Sequence, residues 1–320
     1  MAGLLTLGET LALAGGAAVG SLAHVPSLQL GIGGAESNVA IGVRRLGGEA
    51  AWIGRVGADS LGERVLRELR AEGLALHATV DDTAPTALMV KERRTAATAR
   101  VWYYRTGSAG SRLDPADVPS DLVAAASVLH VTGITPGLSA SALAATERAL
   151  DLAAEHGVPI SFDVNHRAAV WAGRDPGPTY RSIAERSAVV FAGDDEARIL
   201  LGTTATDPAE LVAGLAGLAG GAASAGDAVL KLGADGCRAR IDGVDHEVAA
   251  VPVAVVDSVG AGDAFVAGYL AELMAGRPAA TRLATAVRCG AFACLTTGDW
   301  EGLPRRAELA LLDGGEPVVR

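Results

Sequence analysis

Along the chain the spacing of apolar residues switches repeatedly between two periods. Ala51-Trp52-Ile53-Gly54-Arg55-Val56 is a short apolar run that predicts a buried strand. From Ser60 to Glu72 the period lengthens to that of a helix, with Leu61, Val65, Leu66 and Leu69 on one face. Ser60 and Glu63 have the spacing of a capping box, and Gly73 stops the helix. The same reading predicts strands at 128–131, 158–164, near 188–192 and near 228–232. It predicts an alanine-rich helix at 139–156 and a short helix after Asp194. Strands alternating with helices imply βαβ units and a mainly parallel sheet, which binds ligands at the carboxyl ends of its strands.

Two stretches, 11–32 and 86–106, lack a helical period. In the second, Leu88, Val90 and Arg100-Val101-Trp102-Tyr103-Tyr104 alternate like an exposed β-ribbon. Together they predict a small β lid or dimer surface apart from an α/β domain made of 1–10, 33–85 and 107–320. The apolar N-terminus, MAGLLTLGETLALAGGAAVG, has no basic leader and is interrupted by Glu9, so it reads as a strand and turn rather than a signal peptide. The apolar stretch 211–230 is broken by glycines, Ser224 and Asp227 and does not read as a membrane span.

Composition narrows the chemistry. Half of the 320 residues are hydrophobic, which excludes a disordered chain. The net charge of −10 argues against nucleic acid or an anionic membrane as partner. Lysine occurs only at 91 and 231, neither in a Gly-Lys-Ser/Thr context, which removes a P-loop. Cys237, Cys289 and Cys294 form no metal-ligand spacing, and a reducing, cytoplasmic setting is expected. The six histidines form no HExxH or triad pattern.

An acidic protein can still hold an anion locally. In DSVGAGDAFVAGY (257–269), the apolar run Val251–Val256 predicts a strand, and Gly260-Ala261-Gly262 opens a helix whose Phe265, Tyr269, Leu270 and Leu273 face one way. Free N–H groups and the helix dipole attract an anion at such a turn. Asp263, in the first helical turn, either stabilises the helix as an acid or accepts a proton from a substrate hydroxyl beside the bound phosphate. In GGAESNVAIGVRRLGG (33–48), a flexible Gly-Gly turn precedes a helix with Val39, Val43 and Leu46 on its core face and Asn38 in its first turn. Gly31-Ile32-Gly33 with Glu36 imitates half of a dinucleotide fingerprint but lacks the last glycine.

These two segments, in this order, resemble the signatures of the ribokinase-like (PfkB) carbohydrate kinases, and the resemblance covers nearly the whole chain. It implies a ribokinase-like α/β fold with a β-sheet lid and ATP-dependent phosphorylation of a sugar hydroxyl. Asp263 would be the base and the backbone of Gly260, Ala261, Gly262 and Asp263 the anion hole, with Mg²⁺ on the nucleotide phosphates. AVLKLGADG (228–236) resembles the strand-turn along the nucleotide and gives Lys231, Gly233 and Gly236 as ATP-side residues. FDVNHRAAVW (162–171), YYRTGSAGSRL (103–113) and TTGDWEG (296–302) resemble the 2-keto-3-deoxygluconate kinase branch. That branch puts Gly34, Asn38, Tyr103, Arg105, Arg167 and Asp299 around a sugar acid and Asn165 near the phosphates. Glu196 follows Gly193, where relatives carry Asn, and is the residue carried over as an indirect magnesium group. The resemblance also leaves room for a monovalent cation and implies a homodimer through the lid. The rival readings are a fructokinase, ribokinase or nucleoside kinase of the same fold, a silent nucleotide- or sugar-binding protein, and a Rossmann dehydrogenase.

Overall fold

A computed structural model describes residues 3–16, 18–95, 98–220 and 226–314. The chain enters inside a nine-stranded sheet, third from one edge, with strand Leu4–Leu7. It adds Ala50–Gly57 and Ala75–Asp81 on one side, then restarts on the other with Val128–Thr132 and moves outward through Ile160–Asp163, Val189–Gly193 and Asp227–Lys231. These seven pair in parallel, while the edge hairpin Cys237–Ile241 and Val244–Val248 is antiparallel. The winding direction reverses between Leu4–Leu7 and Val128–Thr132, the point at which a doubly wound sheet opens a crevice at its strand ends.

Two helix layers close the faces. Helices Ala35–Arg45, Ser60–Ala71, Ala261–Met274 and Ala279–Ala293 bury one face with Trp52, Phe191 and Tyr269; Ala140–His156, Gly177–Ala184, Asp194–Leu201 and Pro208–Leu218 bury the other around Phe162 and Tyr180. Covered on both sides, Val128–Thr132 and Ile160–Asp163 are buried at every position, which explains their continuous rather than alternating apolar pattern. Among the described residues no helix is long and apolar enough to cross a membrane.

The stretches without helical period form a separate sheet of Gln29–Gly33, Leu11–Gly15, Leu88–Thr95 and Thr98–Tyr104, in that order, with one 3-10 turn at Leu22–His24. Register places Leu13, Met89 and Tyr103 side by side on its inner face, and Ala14, Leu30, Val90 and Trp102 on its outer face.

Three local expectations change. Helix Ser60–Ala71 is capped by Asp59, whose carboxylate accepts the N–H of Gly62 at 2.8 Å; Ser60 already lies inside the helix. Residues 251–256 form no strand, and Pro252 cannot donate to a ladder there. Helix Ala261–Met274 is buried from Asp263 through Glu272 without a gap, so it has no single core face. Within its layer it is packed against both Ala35–Arg45 and Ala279–Ala293.

Candidate active site

The glycine turn sits at the crevice. Gly260 adopts φ 77°, the left-handed region, and a Cβ there would run into the carbonyl of Asp299, so only glycine lets these two backbones meet. Ala261 donates its N–H to Ser258 at 3.3 Å. Among the described residues, no acceptor takes the N–H groups of Gly262 and Asp263, which leaves two donors at the positive end of a 14-residue helix.

The turn is the shared wall of two cavities. Gly260 and Asp263 line one of about 200 Å³, with Gly34, Asn38, Met89, Tyr103, Arg105, Arg167 and Asp299. Ala261 and Gly262 line the other, of about 520 Å³, with Lys231, Gly233, Gly236 and an apolar wall that includes Val253, Val255, Phe265 and Val287. The first has the size and polarity for a monosaccharide. The second, apolar with glycines and an ammonium at its mouth, suits a nucleotide. Every substrate-side residue expected from the sequence lines the small cavity, and Lys231, Gly233 and Gly236 line the large one.

Asp263 is held from two directions. Asn38, on the first turn of helix Ala35–Arg45, donates Nδ2 to Oδ2 at 2.8 Å. Asn165, at φ 38° in the loop after strand Ile160–Asp163, donates Nδ2 to Oδ1 at 3.2 Å. Asn38 and Asn165, expected at the sugar and at the phosphates, thus both hold the carboxylate. Burial pushes Asp263 up to about 7, against the Asn38 hydrogen bond. Asp299 is pushed up to about 6 by burial, opposed by the charge of Lys91, and its Oδ1 is buried without a partner among the described residues.

The cations differ in how far they are neutralised. Lys231 Nζ lies 2.7 Å from both oxygens of Asp163; burial works against its charge, but that carboxylate holds its ammonium above the usual lysine range. Arg105 gives Nε (2.8 Å) and Nη2 (2.6 Å) to Glu9 Oε2, and its guanidinium lies over the Tyr103 ring at 5.2 Å. Among the described residues Arg167 has no carboxylate partner; its Nη1 donates to the His166 carbonyl at 2.9 Å. Glu196 caps the helix that begins at Asp194: Oε2 accepts Gly193 N–H at 2.7 Å and Oε1 accepts His166 N–H at 2.9 Å. No group of three or more metal-ligating side chains occurs among the described residues.

Sequence reasoning passed over three acids here. Glu9 is buried and fixes Arg105, with Ser108 donating to its other oxygen at 2.6 Å. Glu36 is buried and accepts from Thr132 and Thr135; burial raises its pKa despite both hydrogen bonds. Asp257 binds Lys91 at 2.8 Å. Their partners lie 96 or more residues away in sequence; Glu36, inside the Gly-Gly motif, and Asp257, first residue of the glycine-turn motif, carried a local signal, whereas Glu9 carried none.

The architecture is the ribokinase-like fold, a large mostly parallel sheet between helices with a separate small sheet. The chain belongs to the pfkB family of carbohydrate kinases, whose signature matches residues 1–306. It is similar to the 2-dehydro-3-deoxygluconokinase of Bacillus subtilis (strain 168), 33% identical over 96% of this chain and 94% of that protein. It is also similar to the 2-dehydro-3-deoxygalactonokinase of Haloferax volcanii, 32% identical over 99% of this chain and 98% of that one. Among solved structures, a PfkB protein from Polaromonas sp. JS666 superposes with a TM-score of 0.86 at 33% identity, covering 97% of this chain and 99% of that one. A fructokinase with bound ATP from Xylella fastidiosa shares the fold, with a TM-score of 0.83 at 23% identity over 97% of each chain. The protein is an ATP-dependent sugar kinase.

Proposed function

We propose that the enzyme transfers the γ-phosphoryl group of ATP to the 6-hydroxyl of 2-keto-3-deoxygluconate, with Asp263 as the base. The observation that carries this reading is the shared wall: Asp263 faces the sugar-sized cavity, and the adjoining Gly262 faces the nucleotide-sized one. A hydroxyl in the small cavity reaches the phosphate across one turn of backbone. As the new O–P bond forms, the hydroxyl proton passes to Asp263 and ADP leaves from the larger cavity. The N–H groups of Gly262 and Asp263 face the charge on the transferring group, where fixed dipoles act without reorganisation. Asn38 and Asn165 keep the accepting carboxylate aimed.

ATP fits the residues present, since Gly233, Gly236 and Gly262 leave its path free of side chains and Lys231 adds positive charge. Magnesium would arrive with the nucleotide and supply charge neutralisation there. Both Glu196 oxygens already hold backbone N–H groups, so Glu196 would act on that ion through water. ATP as donor also argues for action in the cytoplasm.

A sugar acid is favoured by Arg167, the cavity guanidinium without a carboxylate partner. Arg105, oriented by Glu9, can offer its remaining N–H groups beside it. The small sheet, with Met89 and Tyr103 on its inner face, would cover the sugar as a lid and exclude water.

The test is ADP release across 2-keto-3-deoxygluconate, 2-keto-3-deoxygalactonate, fructose, ribose and nucleosides, with Asp263→Asn and Arg167→Ala. Asp263→Asn is expected to lower kcat by about 10²-fold or more while ATP affinity stays within about twofold. Arg167→Ala is expected to raise KM for the sugar acid at least about tenfold and to leave a neutral sugar unaffected. A preference for fructose or a nucleoside in the wild type would overturn the substrate, and near-normal turnover by Asp263→Asn would overturn the base.

A further inference from the structure

The sequence holds two lysines among 27 basic residues, and both form ion pairs at this site. Lys231 belongs to the nucleotide side. Lys91 joins two units of the fold. It comes from the inner face of the small sheet, in register with Gly15 and Val101, and its Nζ lies 2.8 Å from Asp257 Oδ2. Asp257 opens the segment that leads through Val259 and Gly260 to Asp263. Its Oδ1 accepts the N–H of Val259 at 3.2 Å, and its own N–H donates to the Cys294 carbonyl at 3.4 Å. The carboxylate is therefore clamped between the ammonium and the backbone that it shapes.

Both side chains are nearly buried, with exposures of 10% and 11%. Withdrawing two charges from water is costly, and a well-packed apolar pair commonly holds two elements together as firmly. Adhesion between the sheets does not require this pair. An ion pair does what an apolar contact cannot: it fixes the orientation of a carboxylate that in turn holds a backbone N–H.

We propose that Lys91 is a positioning residue for phosphoryl transfer, holding Asp257 so that the Val259–Asp263 segment keeps its anion-binding shape while the small sheet covers the sugar. This rests on the kinase reading of the same site. Lys91 acts through Asp257, although its chain also lines the sugar cavity. A direct role in sugar binding therefore has to be separated from a role in the turn.

The experiment measures kcat, sugar KM and thermal midpoint for Lys91→Ala, Asp257→Asn and the double variant, at saturating MgATP. Lys91→Ala is expected to lower kcat about 10²-fold, with sugar KM within about threefold of wild type. Added ethylammonium is expected to restore about tenfold of that loss by refilling the ammonium position. Asp257→Asn, nearly isosteric and expected to fold, should show a similar kcat loss that ethylammonium does not repair. The double variant should be no worse than either single one, because the two residues act as one unit. A rise in sugar KM at normal kcat would make Lys91 a substrate ligand instead. Unchanged kcat in Asp257→Asn, or a kcat loss that ethylammonium leaves untouched in Lys91→Ala, would also overturn the proposal. Absence of sugar-dependent ADP release in the wild type is a different result, one that overturns the kinase reading itself.

Discussion

Asp263 shows how environment sets a residue's chemistry. An exposed aspartate at a helix start is a weak base, ionised at any physiological pH. Here burial raises the carboxyl to about 7, and Asn38 limits the rise by donating to its ionised form, while Asn165 donates to the other oxygen. A base with a pKa near the working pH accepts a proton more readily in the transition state. The sign of the pH dependence follows. Below about 7 the folded enzyme holds Asp263 protonated, and a protonated carboxyl cannot take the substrate proton. Turnover should therefore rise with pH through about 7 and fall about tenfold per unit below it. Measuring kcat at saturating sugar and MgATP between pH 5 and 8 checks this; a flat profile would exclude a base titrating in that range. Replacing Asp263 by Asn should remove the rise from whatever activity remains.

At the scale of elements, the chain's apolar periods were legible where protein alone does the burying. Helix Ala140–His156 and the strands at 128–132, 160–163, 189–193 and 227–231 follow the pattern closely. The pattern misleads where a ligand would do the burying. Val251–Val256 reads like a strand, yet Val255 and Val256 are 64% and 45% exposed: Val251, Val253 and Val255 line the nucleotide-sized cavity, and among the described residues no strand pairs with this segment. The site was half legible for a related reason. Glycine turns and short motifs are written locally, so Gly260–Asp263, Asn38 and Arg167 could be found. Glu9 with Arg105 and Lys91 with Asp257 are pairs made by the topology, invisible to any local period. The cap of helix Ser60–Ala71 falls between these cases. Ser60-x-x-Glu63 has capping-box spacing, but Asp59, one residue earlier and extended, takes the cap and with its other oxygen accepts the Thr86 N–H at 2.8 Å. Burial works against the charge, but the hydrogen bonds from Thr86, Gly62 and Leu61 together hold the Asp59 carboxyl below its ordinary range. Asp59→Ala should therefore cost about 1–2 kcal/mol in chemical denaturation. Ser60→Ala should cost almost nothing, and the reverse ranking would restore Ser60 as the cap.

At the scale of the whole molecule, the small sheet carries apolar residues on both faces. On its inner face, where Leu13 packs beside them, Leu11 and Met89 line the sugar-sized cavity. On its outer face, helix Ser60–Ala71 lies against the end nearest the body, where Ala12 and Ile32 are fully buried. Beyond that helix the same face continues through Leu30, Val90, Trp102 and Tyr104, with Leu30 47% and Tyr104 65% exposed. A four-stranded sheet with one wet apolar face is poorly held and invites association. A second copy of the same sheet would cover that face by two-fold symmetry, each Leu30 and Trp102 meeting its symmetry-related surface. We therefore expect a homodimer through this face. Because the same strands carry Met89 and Tyr103 inward, loss of the dimer should loosen the sugar cover as well. Leu30→Glu, which places a charge within the expected interface, should give monomers in light scattering after size exclusion. It should also raise sugar KM while ATP affinity holds. A wild-type enzyme that is monomeric at micromolar concentration would rule the interface out. A Leu30→Glu variant that stays dimeric would move the interface elsewhere, and with it the reason for an apolar outer face.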